Sequence, residues 1–250
     1  MAPDRRVPSP GTGPTWLVVG FAGLVATDGP WVGNELTSQG PLAIHQGLID
    51  RSSTTERSGD WRRGLPELSD GTVSLRELRS RDSSSLLAHL NTAKVVQHIA
   101  PCPSTVDGLR HFIRWTHAER RRGRHVCYGI IPPRETTPVG IIQIWPIERD
   151  WSTAEWGFVV GESYWGTGLF VRAAHLFLRA VFDPLRVFRL EARAVDANGR
   201  GNGVLRKLGA TREGVLRGGF RDGEVVTDHV MWSILASEWL ARLSRTNTAS

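Results

Sequence analysis

The sequence predicts an α/β (α+β) fold built on a mixed sheet. Three observations carry that expectation. Strand-like runs at Val126 to Ile131, Val139 to Trp145 and Ala154 to Val160 are spaced as an antiparallel meander. After Gly168, Phe170, Ala173, Ala174, Phe177, Leu178 and Val181 recur at helical spacing until Asp183-Pro184 stops the run. Phe188 to Val195 then reads as a strand, and a strand, helix, strand unit of this kind ordinarily crosses over between parallel strands.

The remaining elements follow in chain order. Of the first sixty residues, 26 are Gly, Pro, Ser or Thr, with no sustained period of 2 or 3.6. Residues 1–63 are therefore expected to be a flexible extension of unknown role ahead of a domain at 64–250; the alternative is an addition that docks through Trp16, Trp31 or Trp61. Val73 to Leu78 alternates as a half-buried strand. Ser80 or Asp82 can cap a short helix through Leu90, and Ser104 or Thr105 a longer one through Arg122. Near the end, Asp222-Gly223 reads as a two-residue hairpin turn, which sets Arg221 opposite Glu224, Arg217 opposite Asp228 and Phe220 opposite Val225.

Composition narrows the function. A chain of 250 residues with 40% apolar and 22% charged side chains excludes collagen, coiled coil and wholesale disorder. Met1 to Asp70 carries six basic and eight acidic residues, so the net +6 becomes +8 over the remainder. A basic domain favours anionic ligands without choosing among nucleic acid, membrane and phosphate. The apolar stretch Trp16 to Ala26 has eleven residues, short of the roughly twenty needed to span a bilayer, and its flanks are poor for a signal peptide. Cys102 and Cys127 make no disulfide framework, so a reducing cytoplasm is the expected location, with no membrane association. His111 and His117 miss the i, i+4 spacing of a helical metal pair, and no metal is expected. The basic run Arg120 to His125 reads as a solvated helix end, which makes a nucleic-acid partner unlikely; a ribosome- or RNA-associated protein is the rival reading of that run.

Chemistry concentrates in Ser163-Tyr-Trp-Gly-Thr-Gly168, between a strand and the amphipathic helix. Glycines there clear Cβ atoms from the main-chain amides, and the helix N-terminus adds partial positive charge, a combination suited to a pyrophosphate. Neither a P-loop lysine nor a third glycine of a dinucleotide fingerprint follows.

Glu155-Trp-Gly-Phe-Val, Tyr164-Trp-Gly-Thr-Gly, Asn198, Leu205-Arg-Lys-Leu-Gly-Ala, Glu213-Gly-Val-Leu-Arg and Asp228, in that order, resemble the GNAT acyltransferase superfamily, and within it the branch of ribosomal-protein N-alpha-acetyltransferases. The resemblance runs from about Gly64 to Leu243. It implies a GNAT fold with a central sheet of about six to seven strands, helices on both faces, and acetyl-CoA as acyl donor splitting the sheet. Phe158, Val159 and Val160 would pair with the pantetheine arm, Trp165, Gly166, Thr167 and Gly168 would hold the pyrophosphate, and Asn198 and Arg200 would also touch acetyl-CoA. Asn198 has a second reading as a helix N-cap.

By the same resemblance Glu155 is the candidate general base; a solvated or ion-paired strand glutamate is the competing reading. Trp145, Trp151, Trp156 and Trp165 are candidates to shape an acceptor pocket, or core and rim residues. Two positions depart from the family: Gly201 replaces a common serine, and Arg172 stands where relatives often carry an acid. A thiolate of pKa about 8.5 leaves readily, so the missing serine is tolerable. An α-amine of pKa about 8 is roughly one-tenth neutral at pH 7, far more than lysine, and demands less of a base. The expected partner is thus an amine, first a protein N-terminal α-amine, with antibiotics, polyamines or a catalytically inert CoA-binding role as alternatives, in a monomer or homodimer.

Overall fold

The structure, a computed structural model, describes residues 60–248 apart from 98, 100–102 and 223. Most of the expected extension, including Trp16 to Ala26, therefore lies outside the described residues. One sheet organises the chain. Its strands are β1 (Leu68–Ser69), β2 (Ser74–Glu77), β3 (Val126–Ile131), β4 (Gly140–Pro146), β5 (Thr153–Val160), β6 (Arg189–Val195), β7 (Thr211–Asp222) and β8 (Val225–Leu235). They lie in the order β1-β2-β3-β4-β5-β6-β8-β7. Only β5 and β6 pair in parallel; every other neighbour is antiparallel. Eight strands exceed the expected six to seven because the two-residue β1 adds to one edge.

The helices are α1 (Ser83–Leu90), α2 (Ala93–Val96), α3 (Val106–Arg121), α4 (Leu169–Phe182), α5 (Gly199–Lys207) and α6 (Ala236–Thr248). Thr105 caps α3 by accepting from the Gly108 N–H at 3.0 Å, as its sequence position predicts. Strand alternation sorts the core into two layers. Ala154, Trp156, Phe158 and Val160 of β5 face α4 with Phe170, Ala173, Phe177 and Val181. Val159, Ile141 and Cys127 face Leu86 and Leu90 of α1 and Leu109, Phe112 and Ile113 of α3.

The C-terminal hairpin corrects the sequence expectation. Asp222 pairs with Val225, Arg221 with Val226 and Phe220 with Thr227, so the turn is one residue later and none of the three expected pairs forms. Deeper in, Leu216 pairs with His229 and Val215 with Val230. The intervening bulge absorbs two extra residues of β7. Gly218 sits there at φ +60, and its N–H takes the Asp228 carboxylate at 2.7 Å that was expected to meet Arg217. A slip of two, unlike a slip of one, leaves every side chain on its own face.

The basic run at the end of α3 divides: Arg121, Arg122 and Arg124 stay exposed, while Arg120 turns inward. Arg120, 5% exposed, donates to Glu77 at 2.5 Å and to the carbonyls of Trp61 and Arg62. Arg122 and Arg124 pair with Glu119. Trp61 packs edge-on against Trp151 at 5.4 Å. Another buried pair anchors the segment before α1: Arg76 grips the fully buried Asp82 through two hydrogen bonds of 2.7 and 2.9 Å, and Asp82 also accepts from the Arg79 N–H. Replacing Asp82 with Asn strands the Arg76 charge in the interior, and urea unfolding should register a loss of about 3–5 kcal/mol with little change in slope.

Candidate active site

The site begins where two strands part. β5 and β6 pair for three residues only, ending at Glu155 opposite Glu191. Beyond that point β5 stays with β4 as far as Val160, and β6 stays with β8 as far as Val195. A wedge opens between them. The Gly161 N–H donates to Val139 and the Ile147 N–H to Thr153, so the odd-numbered residues of β5 spend their main-chain groups on β4. Those of Trp156, Phe158 and Val160 turn into the wedge. Of the expected Phe158, Val159 and Val160, the ladder thus gives Phe158 and Val160 wedge-facing main chain and turns Val159 toward Ile141.

Two side chains hold the wedge open. Trp165 Nε1 donates to the Val160 carbonyl at 2.9 Å, tying the end of β5 to the loop that follows. Across the gap, Asn202 Nδ2 donates to the carbonyls of Val195 and Asn198, while its Oδ1 accepts from Trp232 Nε1 at 2.8 Å. That clamp binds α5 to β6 and β8. Asn202 was not singled out in the sequence, where its context within Asn-Gly repeats reads as a poor helix.

At the mouth of the wedge lies the glycine loop. Gly166 and Gly168 adopt φ +77 and +83, and nothing lies within 4 Å of where a Cβ would stand on either. Thr167 Oγ1 is fixed by the Tyr164 carbonyl and accepts from the Leu169 N–H. The amides of Gly166, Thr167 and Gly168 make no hydrogen bond among the described residues and sit in an exposed loop at the α4 N-terminus. Uncommitted donors, positive φ and open space suit an anionic oxygen cluster.

The structure brings Arg200 to this loop: its guanidinium lies 4.5 Å above the Trp165 ring. Asn198, 5% exposed, accepts from the Gly201 N–H at 2.9 Å and so caps α5. A Cβ at Gly201, the departure from the family serine, would meet that asparagine's side chain at 2.8 Å and would have to displace it slightly. The other departure, Arg172, pairs with Asp70 at 3.5 Å.

Glu155 stands at the base of the wedge on the face away from α4, and is 4% exposed. Burial pushes its carboxyl up to about 8; Arg193, whose Nε is 3.6 Å from Oε1, and a hydrogen bond from Trp145 oppose the shift, and Glu191 adds to it. The expected tryptophan cluster is dispersed. Trp156 is core, stacked near Phe177; Trp151 bonds the Gly123 carbonyl; Trp165 lies under Arg200. Only Trp145 accompanies Glu155. Among the described residues no three His, Cys, Asp or Glu side chains gather as metal ligands, and no helix is long and apolar enough to cross a membrane.

Comparison with known proteins agrees with this geometry. A family model described as "Acetyltransferase (GNAT) domain" matches residues 72–211. The uncharacterized N-acetyltransferase p20 of Bacillus licheniformis is 24% identical over 168 residues, covering 67% of this chain and 94% of that protein. Two solved structures share the fold. Ribosomal-protein-S5-alanine acetyltransferase from Vibrio fischeri has a TM-score of 0.62 at 16% identity, covering 70% of this chain and 98% of that one. Mycobacterium smegmatis RimJ in complex with CoA-disulfide has 0.60 at 22% identity, covering 72% and 94%. The chain belongs to the GNAT acetyltransferase family.

Proposed function

We propose that this protein transfers an acetyl group from acetyl-CoA to a primary amine, most favourably a protein N-terminal α-amine, by direct attack within a ternary complex. The observation that carries this is the wedge itself: main-chain groups of β5 that no neighbouring strand pairs with lead from the glycine loop to a buried carboxyl. Acetyl-CoA supplies the thioester. Phe158 and Val160 would pair with its arm, and Val159, whose main chain is spent on β4, would not. Trp165, Gly166, Thr167, Gly168 and Arg200 would hold the diphosphate, with Asn198 shaping the adjoining turn. The Phe158 N–H, turned into the wedge, is available to an oxygen placed there.

Glu155 would take the proton lost by the amine. A carboxyl titrating near 8 is about one-tenth ionised at pH 7, yet its affinity for a proton matches that of an α-amine, so transfer between them is nearly balanced. Lysine lies some two units higher and fits less well. A route through an acyl-cysteine finds no support in Cys127, which is buried and whose thiol burial pushes far above its usual range. The Vibrio fischeri relative, named for an alanine of ribosomal protein S5, supports the α-amine over a small antibiotic or polyamine.

A peptide with a free N-terminal alanine, incubated with acetyl-CoA, should release CoA and gain one acetyl group by mass, while its N-terminally blocked form should do neither. Because the base works ionised and its folded pKa is raised, kcat should climb about tenfold per pH unit from 6 toward 8 and then level. Glu155→Gln should lower kcat about 100-fold or more and remove that limb, with acetyl-CoA affinity unchanged. Arg200→Ala removes an exposed stacking cation, so the CoA Kd from calorimetry should rise roughly five- to tenfold while Tm moves by no more than about 2 °C.

A further inference from the structure

Three buried polar side chains on neighbouring strands carry atoms that the fold does not satisfy. His125, Gln143 and Glu155 are 4%, 2% and 4% exposed. His125 Nδ1, Gln143 Oε1 and Glu155 Oε1 each lack a hydrogen-bond partner among the described residues. The Gln143 amide faces the His125 ring closely enough to favour its protonated form, but without hydrogen-bond geometry. An unpaired buried polar atom costs about 1–3 kcal/mol. Three of them together mark a place shaped by something other than folding.

Strand register puts them at one corner. Gln143 lies opposite Gly157, and Trp145 opposite Glu155. Val126 lies opposite Ile144, so His125 comes alongside Trp145, with ring centroids 6.2 Å apart and nearly parallel. All share the face away from α4, and they flank Gly157, which has no side chain. Gly157 in turn sits two residues past the point where β5 and β6 part.

The unmet atoms define the occupant. Those on Gln143 and Glu155 are acceptors, so a single small centre must bring at least two N–H or O–H donors. Arg193, 3.6 Å from Glu155, opposes a permanent cation. We propose that Gln143 positions the acceptor: its Oε1 takes one N–H of the incoming neutral primary amine while Glu155 Oε1 takes the other. This rests on the acetyl-transfer reading above. With both N–H bonds held over Gly157, the lone pair is left to face the wedge. As the nitrogen–carbon bond forms, the carbon–sulfur bond breaks and its electron pair leaves with the thiolate. The proton goes to Glu155, and the amide product keeps its remaining N–H on Gln143.

A secondary amine has one N–H. Held by Glu155, it leaves Gln143 unmet and presses an alkyl group against it. Acetyl transfer to an alanine-initiated peptide and its N-methylalanine counterpart, and to butylamine and N-methylbutylamine, tests this. Wild type should favour the primary member of each pair by tenfold or more in kcat/KM. Gln143→Met should lower kcat/KM for the primary amines about tenfold and leave the N-methyl amines within about twofold, at unchanged CoA affinity. Equal rates for both members of a pair in wild type, a measurement that needs no variant, would overturn the role of Gln143. So would a wild-type ratio preserved in Gln143→Met. Wild type that binds CoA yet turns over none of the four probes would instead bring down the acetyl-transfer reading on which the proposal stands.

Discussion

Two parallel strands that pair for three residues and then separate are the constraint on which the rest of this molecule depends. A main-chain N–H or carbonyl taken from a sheet needs another partner, and the facing edges of β5 and β6 would otherwise be costly. The separation is imposed from outside the strands. Trp165 holds the end of β5 to the glycine loop, and Asn202 holds the end of β6 to α5 and β8. Each uses a directional hydrogen bond from a buried or half-buried side chain, so neither strand can drift across to close the gap without leaving donors and acceptors unmet.

Electrostatics at the base of that gap follow from the same geometry. Where β5 and β6 still touch, Glu155 is enclosed between β4 and β6, and its carboxyl loses more with its water than Arg193 at 3.6 Å restores. Nearby, Arg189 meets Glu213 through two hydrogen bonds and Ser233 adds a third, which holds Glu213 down to about 2. Two carboxylates on one sheet are thus driven apart by several units, one by burial and one by pairing. The first is suited to exchange protons near neutrality; the second is a fixed anion that braces β7 against β6.

The regular elements were legible wherever periodicity was strong. β3 and α4 fall where a short apolar run and helical spacing put them, and Thr105 caps α3 as its position before the amphipathic run implies. The hairpin register was not legible, because turn chemistry at Asp222-Gly223 said nothing of a bulge whose cause is Gly218 bonding Asp228 from the facing strand. Of the site, the glycine loop carries a local signal, and Glu155 stands out only through the family resemblance. Gln143, His125, Arg193 and Asn202 carry none, since a glutamine inside an apolar strand or an asparagine among glycines acquires meaning only from what lies across from it.

The sequence alone determined the fold class, the order of the central elements and the loop built to receive an anion, since each is written in spacing along the chain and in residues that local backbone geometry requires. Tertiary structure alone decided where the sheet splits, how far the Glu155 carboxyl is lifted, and which polar atoms stay unmet beside it. Those properties depend on desolvation and on cross-strand neighbours as many as 57 residues apart, as with Ser74 in β2 and Ile131 in β3, and no spacing rule reaches that far.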